Sequence, residues 1–269
     1  MKQIVWLYAV LGFLSLNAFE LEVDMGTGVY YTGAKGNLLY AKETWAGSTA
    51  NIDHSSTPSV YVWSEFTTDQ AYWPKLRVEF SHSETEGNSF IHIGGGPGDL
   101  IDKIEGELGG FVTLNNTDYD STLVQNTYEA YLYYEYFEKS AYPSVGIGAG
   151  VKNFDFTYRA TLIEGLEFTD NGGDTIPLLF FKSRYELDND EDAQLAFEVN
   201  AKYFIFGESN IYDYSIKGDF MMAYNNTTDL GFEFGYRYTF IDIKGDDIDT
   251  VGGDMSTSGV FVGLVAQFR

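Results

Sequence analysis

The sequence predicts an all-β fold: a transmembrane antiparallel up-and-down β-barrel of about ten strands, with long outer loops and short periplasmic turns. Three observations favour it: an export signal at the N-terminus, strand segments whose apolar residues alternate over about a dozen positions, and connections whose lengths alternate along the chain. Composition agrees, because the 269 residues include 21 Tyr, 21 Phe and 29 Gly, which favour strands and turns.

The first twenty residues, MKQIVWLYAVLGFLSLNAFE, contain one base, Lys2, then an apolar run, then Ala18 before the first acid. This pattern is typical of a secretory signal peptide, and the apolar run is shorter than the ~20 residues that a spanning helix needs. We therefore predict a signal peptide at 1–18 and one outer-membrane β-barrel domain at 19–269, with an N-terminal membrane anchor as the alternative. The chain has no Cys, so a lipid-anchoring thiol and a disulfide framework are excluded.

Ten segments have the composition of strands, and an even count returns both termini to the periplasm. We expect them near residues 20–32, 58–68, 74–86, 122–137, 143–158, 175–187, 193–206, 210–224, 229–243 and 255–269. The connections TDQAYWP, EKSAYP, LDNDED and NNTTD are short and alternate with long segments at 33–57, 87–121, 159–174 and 244–254. Only GESN, around residues 207–210, is short where a long loop is expected.

Alternation within the strands indicates which face meets lipid. In the ninth strand, apolar side chains at even positions from Leu230 to Phe240 oppose Glu233, Gly235 and Arg237, and the seventh strand has the same pattern. Side chains alternate across a strand, and this apolar face is as long as a strand that crosses a bilayer obliquely. We therefore expect the apolar face outside and the polar face in an enclosed lumen, the alternative being the solvated face of a soluble barrel.

The strand positions that we expect to face the lumen carry seven acids and seven bases. The predicted lumen therefore has no net charge, although the whole chain has a net charge of −24. Buried charges are tolerable only when they are paired, and Arg237 with Glu233 is one pair that we expect. We predict a lumen charge network that consists of Glu65, Arg77, Glu79, Glu129, Glu135, Lys152, Lys182, Arg184, Glu198, Lys202, Lys217, Asp219, Glu233 and Arg237. The same parity places five aromatic side chains in the lumen: Tyr61, Trp63, Tyr131, Tyr133 and Phe180.

The last strand, SGVFVGLVAQFR, alternates apolar residues and carries an aromatic residue one place before its end. With WPKLRVEF, YEAYLYYEYF, PLLFFKSRYEL and FEFGYRYTFIDI, it resembles a family of uncharacterised Gram-negative outer-membrane β-barrel proteins across nearly the whole mature chain. The resemblance implies fold and location, and the terminal strand resembles the signal that the barrel assembly machinery recognises. In this sequence that assembly signal would be Val260, Val262, Leu264 and Phe268, with Arg269 as a departure from a terminal aromatic residue.

The sequence contains few motifs that are typical of catalytic or metal-binding sites. The pairs His82-Ser83 and His54-Ser55 resemble the residue types of a lipid A deacylase, and His54 or His92 with loop acids could imitate an omptin protease, but no orienting carboxylate follows from the spacing. The glycine-rich stretch at 94–99 lacks the residues of a phosphate-binding loop. The acidic turn DNDED lacks the glycine and the closing acid of a calcium loop. We predict no enzyme activity, no metal site and no cofactor.

The acidic composition excludes a nucleic-acid partner, which needs clustered bases. We expect a monomer in the outer membrane whose partners are outer-membrane lipids, lipopolysaccharide and the assembly machinery. The function that fits is a structural or surface-interaction role with a largely filled lumen. A small channel and an outer-rim hydrolase are the alternatives that the sequence leaves open.

Overall fold

The computed structural model describes residues 21–40, 48–70, 73–92, 118–137, 142–163, 166–187, 193–206, 209–243 and 252–269. These residues form ten strands: β1 (Leu21–Tyr40), β2 (Ser48–Thr68), β3 (Lys75–His92), β4 (Asp118–Tyr136), β5 (Ser144–Ile163), β6 (Leu166–Leu187), β7 (Ala193–Phe206), β8 (Ser209–Asn225), β9 (Thr228–Ile243) and β10 (Gly252–Phe268). Signal-peptide residues 1–18, the glycine-rich stretch at 94–99 and the acidic turn at 188–192 lie outside the described residues. In the described part of the chain, no helix is long and apolar enough to cross a membrane.

The strands form one closed barrel in which each strand pairs antiparallel with its sequence neighbours and β10 pairs with β1. Val23, near the beginning of β1, lies opposite Phe268 on one side and Phe66 on the other. The beginning of β1, the end of β10 and the short connections therefore lie at one end, which is the periplasmic end in a barrel of this topology. The predicted fold class is confirmed.

The periplasmic ends of the strands agree with the sequence prediction to within about one residue, whereas the outer ends of β1 to β6 and β10 extend further and those of β7, β8 and β9 agree with it. The sequence predicts loops at 33–57 and 159–174, but β1, β2, β5 and β6 continue through most of these segments. Backbone pairing continues above the bilayer, where the outer face of a strand meets water instead of lipid, while inner-face residues such as Ala34 and Ile52 stay buried. The alternation that marks a strand in lipid is absent there, so periodicity underestimates the strands at this end.

A band of apolar side chains covers the outside of the barrel. Phe232 and Phe234 on β9 are 53% and 55% exposed, and the neighbouring β10 residues Val262 and Leu264 are exposed to a similar degree. Such a surface would be costly in water, and the backbone groups beneath it are paired within a closed sheet, as a bilayer requires. The residues of β7, β9 and β10 that the sequence predicts to face outward do face outward in the structure.

Glycines on the inner face of β5 make room for rings from β4. A Cβ on Gly148 would clash with the Cβ of Tyr133, and one on Gly150 would clash with the ring of Tyr131. Both tyrosine side chains are fully buried. The glycines therefore allow large rings to lie flat against the inner wall, which helps to fill a lumen of only ten strands.

Candidate functional site

The lumen contains two layers, and the one nearer the periplasm is charged. It consists of eight acids and eight bases, and each makes at least one salt bridge inside the barrel. We call these sixteen residues the charged layer: Glu65, Glu79, Glu129, Glu135, Glu198, Asp213, Asp219, Glu233, Lys75, Arg77, Lys152, Lys182, Arg184, Lys202, Lys217 and Arg237. Equal numbers of the two signs leave the sixteen residues neutral, which reduces the cost of burying them.

Some pairs in the charged layer cross the lumen and others join neighbouring strands. The carboxylate of Glu198, on β7, lies 3.2 Å from Nη1 of Arg77 on β3 and 3.4 Å from Nζ of Lys182 on β6. Nearer the outer side, Nζ of Lys152 lies 2.9 Å from Glu129 and 3.0 Å from Asp213. Because several of these ions have more than one partner, on neighbouring strands and across the lumen, the layer both fills the barrel and connects its walls.

Aromatic rings fill the spaces between these ions. The ring of Trp63 has the guanidinium of Arg77 at 4.7 Å and Nζ of Lys217 at 4.3 Å from its centroid, while its indole N–H donates to Glu233 at 3.0 Å. Cations over an aromatic face are stabilised by the ring quadrupole. Tyr131, Tyr133 and Phe180 form a second group, in which the rings of Tyr131 and Phe180 stack with their centroids 4.8 Å apart.

The second layer, on the outer side of the charged layer, is apolar. We call it the apolar layer, and its buried members are Ile52, Leu123, Phe154, Phe156, Ile176, Leu178, Ile211, Ile241 and Met255. These residues come from seven strands and pack against one another inside the barrel. An apolar constriction excludes water, so it opposes ion movement for a reason that differs from that of the paired charges.

A cavity of about 50 Å³ remains inside the charged layer, lined by Trp63, Tyr61, Phe261 and Arg77 among others. This volume accommodates a few water molecules. Asn200 also lines the cavity, and its Oδ1 is buried without a hydrogen-bond partner in the described part of the chain. A water molecule that donates to Oδ1 would satisfy this atom, so the cavity fits trapped water.

All fourteen residues of the lumen charge network that the sequence predicts lie in the charged layer. Sequence reasoning missed Lys75, which pairs with Glu135 at 2.8 Å, and Asp213, which pairs with Lys152 and Arg237. Both residues occupy inward-facing positions of their strands. Extending the alternation to the ends of β3 and β8 would have identified them.

Two further details of the charged layer differ from the sequence prediction. The expected pair of Arg237 and Glu233 is wrong: Arg237 contacts Asp213 and Glu129, whereas Glu233 contacts Lys217. The two side chains lie on the same face of β9, but each reaches other ions across the lumen. Sequence reasoning also missed Asp24, which lies opposite Glu65 at the periplasmic side of the layer and whose Oδ1 is buried without a hydrogen-bond partner among the described residues.

The histidine motifs do not assemble into a hydrolase site. His54 faces the lumen, where Nε2 lies 2.7 Å from Oγ of Ser121 and Nδ1 lies 3.0 Å from Oγ1 of Thr85. Both ring nitrogens are thus occupied by hydroxyl groups. Ser55 instead donates to the carbonyl of Glu86.

A bulge in β2 explains why His54 faces inward. Ala34 of β1 lies opposite His54, but Thr32 lies opposite Thr57, so β2 has one extra residue here. An extra residue reverses the parity of everything beyond it. His54 is therefore in the lumen, together with Ile52, and not in a loop as the sequence suggests. It lies beyond the apolar band, where burial lowers the pKa of its imidazole.

His82 lies on the outer face of β3, as its parity predicts, and Nδ1 is 2.8 Å from Oδ1 of Asn126. Ser83 follows it on the opposite face of the strand, so the pair His82-Ser83 cannot act together. The backbone of His92 ends β3, opposite Thr49. In the described part of the chain, no group of three or more His, Asp or Glu is arranged to hold a metal ion.

The residues of the predicted assembly signal share the outer face of β10. Val260, Val262, Leu264 and Phe268 are all exposed there, at 40 to 59%. Phe261 lies on the inner face, where the centroid of its ring is 5.5 Å from that of Tyr61. The arrangement leaves the four side chains accessible from the lipid side.

Comparison with known proteins places the fold in a class. No protein-family model matches the chain, and no curated protein matches it. Among solved structures, the outer membrane protease OmpT from Escherichia coli is 11% identical, with 94% of this chain and 99% of that chain covered and a TM-score of 0.52. The translocator domain of the autotransporter NalP from Neisseria meningitidis is 12% identical over 100% and 95% of the two chains, with a TM-score of 0.39.

A further match is Ail, the attachment invasion locus protein of Yersinia pestis, at 8% identity over 91% and 99% of the two chains, with a TM-score of 0.35. Of these three, only the likeness to OmpT is close enough to support a shared fold, and at that identity it carries no activity with it. Together with the apolar outer band, it confirms the sequence prediction of an outer-membrane β-barrel.

Proposed function

We propose that this protein is a sealed outer-membrane barrel whose role is structural or in surface interaction, and which carries its outer hairpins beyond the membrane. The observation that supports this most directly is the filled lumen, in which the charged layer and the apolar layer lie one above the other. A barrel of about eight strands has an interior that side chains fill, whereas sixteen or more strands leave an aqueous channel. Ten strands with two filled layers belong to the first group.

A small channel is the alternative that the geometry disfavours. An ion path needs a ring of one charge sign or a continuous column of water. In the charged layer each base lies against acids, as where Lys152 meets Glu129 and Asp213. The cavity of about 50 Å³ is too small to form a column through the barrel.

We also propose that the protein is not an enzyme. A rim hydrolase would need a base oriented by a carboxylate and directed at an accessible nucleophile or water. His54 has hydroxyl partners on both nitrogens and is 2% exposed. The lipids, lipopolysaccharide and assembly machinery of the outer membrane remain the partners that we propose, with the barrel as a monomer.

Planar-bilayer recording tests the sealed barrel. The wild-type protein, refolded and inserted, should show no stable porin-sized step. Arg237 and Asp213 form an ion pair inside the lumen between two neighbouring strands, so Arg237→Ala with Asp213→Ala should increase any small leak by opening space in the charged layer. The exposed pair of Lys35 and Asp53 provides the control, because the same double substitution there leaves the lumen unchanged. A large, steady wild-type conductance would overturn the proposal in favour of the channel.

A further inference from the structure

The wall of the barrel is lower at the hairpin of β7 and β8 than at the neighbouring β5–β6 hairpin. β6 has 22 residues and β7 has 14. The ladder between them runs only from Leu187 opposite Leu195 to Leu179 opposite Tyr203. Beyond the pair of Leu179 and Tyr203, β7 continues for only three residues, which pair with β8 and not with β6, whereas β6 continues outward along β5 for thirteen. Among the described strands, the outer part of β6, Leu166–Leu178, is therefore paired on the β5 side only, and beyond the end of β7 it borders a gap in the wall.

This part of β6 is a sheet edge. On one side it pairs with β5 almost without interruption, from Leu178 opposite Gly150 to Leu166 opposite Ile163. On the other side, none of the described strands pairs with it. We call this side the outer β6 edge. An unpaired strand edge presents a row of backbone donors and acceptors, to which another extended chain can add.

The position of Pro177 agrees with an edge. Proline lacks an N–H, so within a sheet it is found where that group is not needed by a neighbouring strand. Pro177 lies opposite Val151 of β5 in an unbroken ladder. In an antiparallel strand alternate residues direct their polar backbone groups to opposite sides. The backbone polar groups of Pro177 therefore point away from β5. Every second residue from Pro177, including Thr169, also points its backbone N–H and C=O groups away from β5.

Four residues in the middle of the edge have either no side chain or a side chain that is hydrogen-bonded to β5. Gly172 and Gly173 lie there, against the ring of Phe156 and the carboxylate of Asp155 on β5. Two other side chains on this stretch, those of Asn171 and Thr175, are held by hydrogen bonds to β5. Side chains that lean on β5, and glycines with none, leave an incoming backbone room to approach.

Charge indicates the chemistry of the partner. The sequence from 166 to 178 contains Glu167, Asp170 and Asp174 and no base, and the adjacent Asp155 is exposed. Pairing of two copies of this edge would bring acids against acids, which disfavours a second copy of the chain. An extended segment that carries Lys or Arg at alternate positions would meet the opposite charge along its length.

We propose that the outer β6 edge is the docking site for an extended, basic polypeptide segment, which adds to the barrel wall as a strand next to β6. The inference rests on the proposed surface role, for which it names a place and a class of partner. Backbone hydrogen bonds supply affinity that does not depend on sequence, and the acids select a basic partner.

A fluorescent twelve-residue peptide of alternating lysine and threonine is the probe. Its binding to the refolded full chain in detergent is followed by fluorescence anisotropy. A second peptide has the same sequence with an N-methyl group at every residue, which removes the backbone donors from both of its edges and keeps the charge. We expect the second peptide to bind at least tenfold more weakly, because an incoming strand needs those donors.

The matched variants are Thr169→Pro and Thr169→Val. Proline at 169 removes an N–H from the outer β6 edge and leaves the β5 ladder intact, as Pro177 does, whereas valine keeps the N–H. Binding should fall at least tenfold in the first and stay unchanged in the second. Folding of each variant is checked by its migration when unboiled, and the wild-type comparison of the two peptides remains decisive if Thr169→Pro misfolds.

Equal binding of the two peptides would overturn strand addition, since charge alone would then explain the affinity. A dimer of the wild-type chain that Thr169→Pro abolishes would also overturn the proposal and assign the edge to a second copy. Absence of binding with a silent bilayer recording refutes the docking site and leaves the sealed barrel in place. A porin-sized conductance refutes the sealed barrel whatever the peptides do.

Discussion

Replacement of Lys152 by Met is expected to destabilise the barrel strongly, because it removes one charge from the centre of the charged layer. Nζ of Lys152 lies 2.9 Å from Glu129 and 3.0 Å from Asp213, and all three side chains are 1 to 2% exposed. Breaking a buried ion pair by removing one partner costs about 3–5 kcal/mol, since the other charge is left without compensation. Here both acids keep another base, Arg237, so we expect the lower end, about 3 kcal/mol. That corresponds to an approximately hundredfold change in the folding equilibrium.

The assay is urea unfolding of the protein in lipid vesicles, followed by tryptophan fluorescence and by the shift between the folded and unfolded bands on electrophoresis. Lys35→Met is the matched control. Lys35 makes the same kind of pair with Asp53, at 3.0 Å, but the two side chains are 72% and 68% exposed, so its loss should cost about 0–1 kcal/mol.

A double variant tests whether the ions act together. Lys152→Met with Asp213→Asn should cost less than the sum of the two single changes, because residues that share a network have coupled energies. Equal midpoints for Lys152→Met and Lys35→Met would refute the reasoning that the charged layer holds the barrel walls together. Additive costs in the double variant would show that these ions contribute independently.

Three further outcomes are expected. Phe268→Ala should reduce the yield of assembled barrel in the outer membrane far more than Phe261→Ala, since only Phe268 lies on the accessible face; equal yields would show that this aromatic residue is not recognised. Gly150→Val should lower the urea midpoint, because a Cβ there would clash with the backbone carbonyl oxygen of Ala130 and overpacking costs about 1–3 kcal/mol, while Ala149→Val, on the outer face, should not. Because burial holds the pKa of His54 below its ordinary value of 6.5, the unfolded chain takes up the proton first, and stability should fall as the pH drops below about 6.5. His54→Gln should flatten this dependence between about pH 7 and 5, and an unchanged slope would contradict it.

Two parts of the site escape prediction for identifiable reasons. Asp213 and Lys75 have the parity of the network and are missed only because they lie toward the ends of their strand segments. His54 cannot be placed from parity at all, because the bulge in β2 reverses the alternation. A bulge adds one residue without a sequence pattern that periodicity can detect.

The partners within the charged layer are also beyond the sequence. Arg77 and Glu198 are 121 residues apart, and they meet only because β3 and β7 lie on facing walls of a closed ring. Alternation along a strand predicts that a side chain points inward. The register and the closure of the sheet determine which ion it contacts. The expected partnership of Arg237 and Glu233 is wrong for this reason.

The sequence by itself determined that this chain is a barrel in a membrane, where its short turns lie and that acids and bases balance in its lumen charge network. Each of these depends on alternation and composition, which are local properties with a period of two residues. Only the tertiary structure decided the height of each part of the wall, and hence the outer β6 edge. Above the bilayer the outer face of a strand is exposed to water, so an apolar outer face no longer shows in the sequence where strand pairing stops. Which strand ends beside which neighbour depends on the register of the whole ring, and that is fixed when β10 closes on β1.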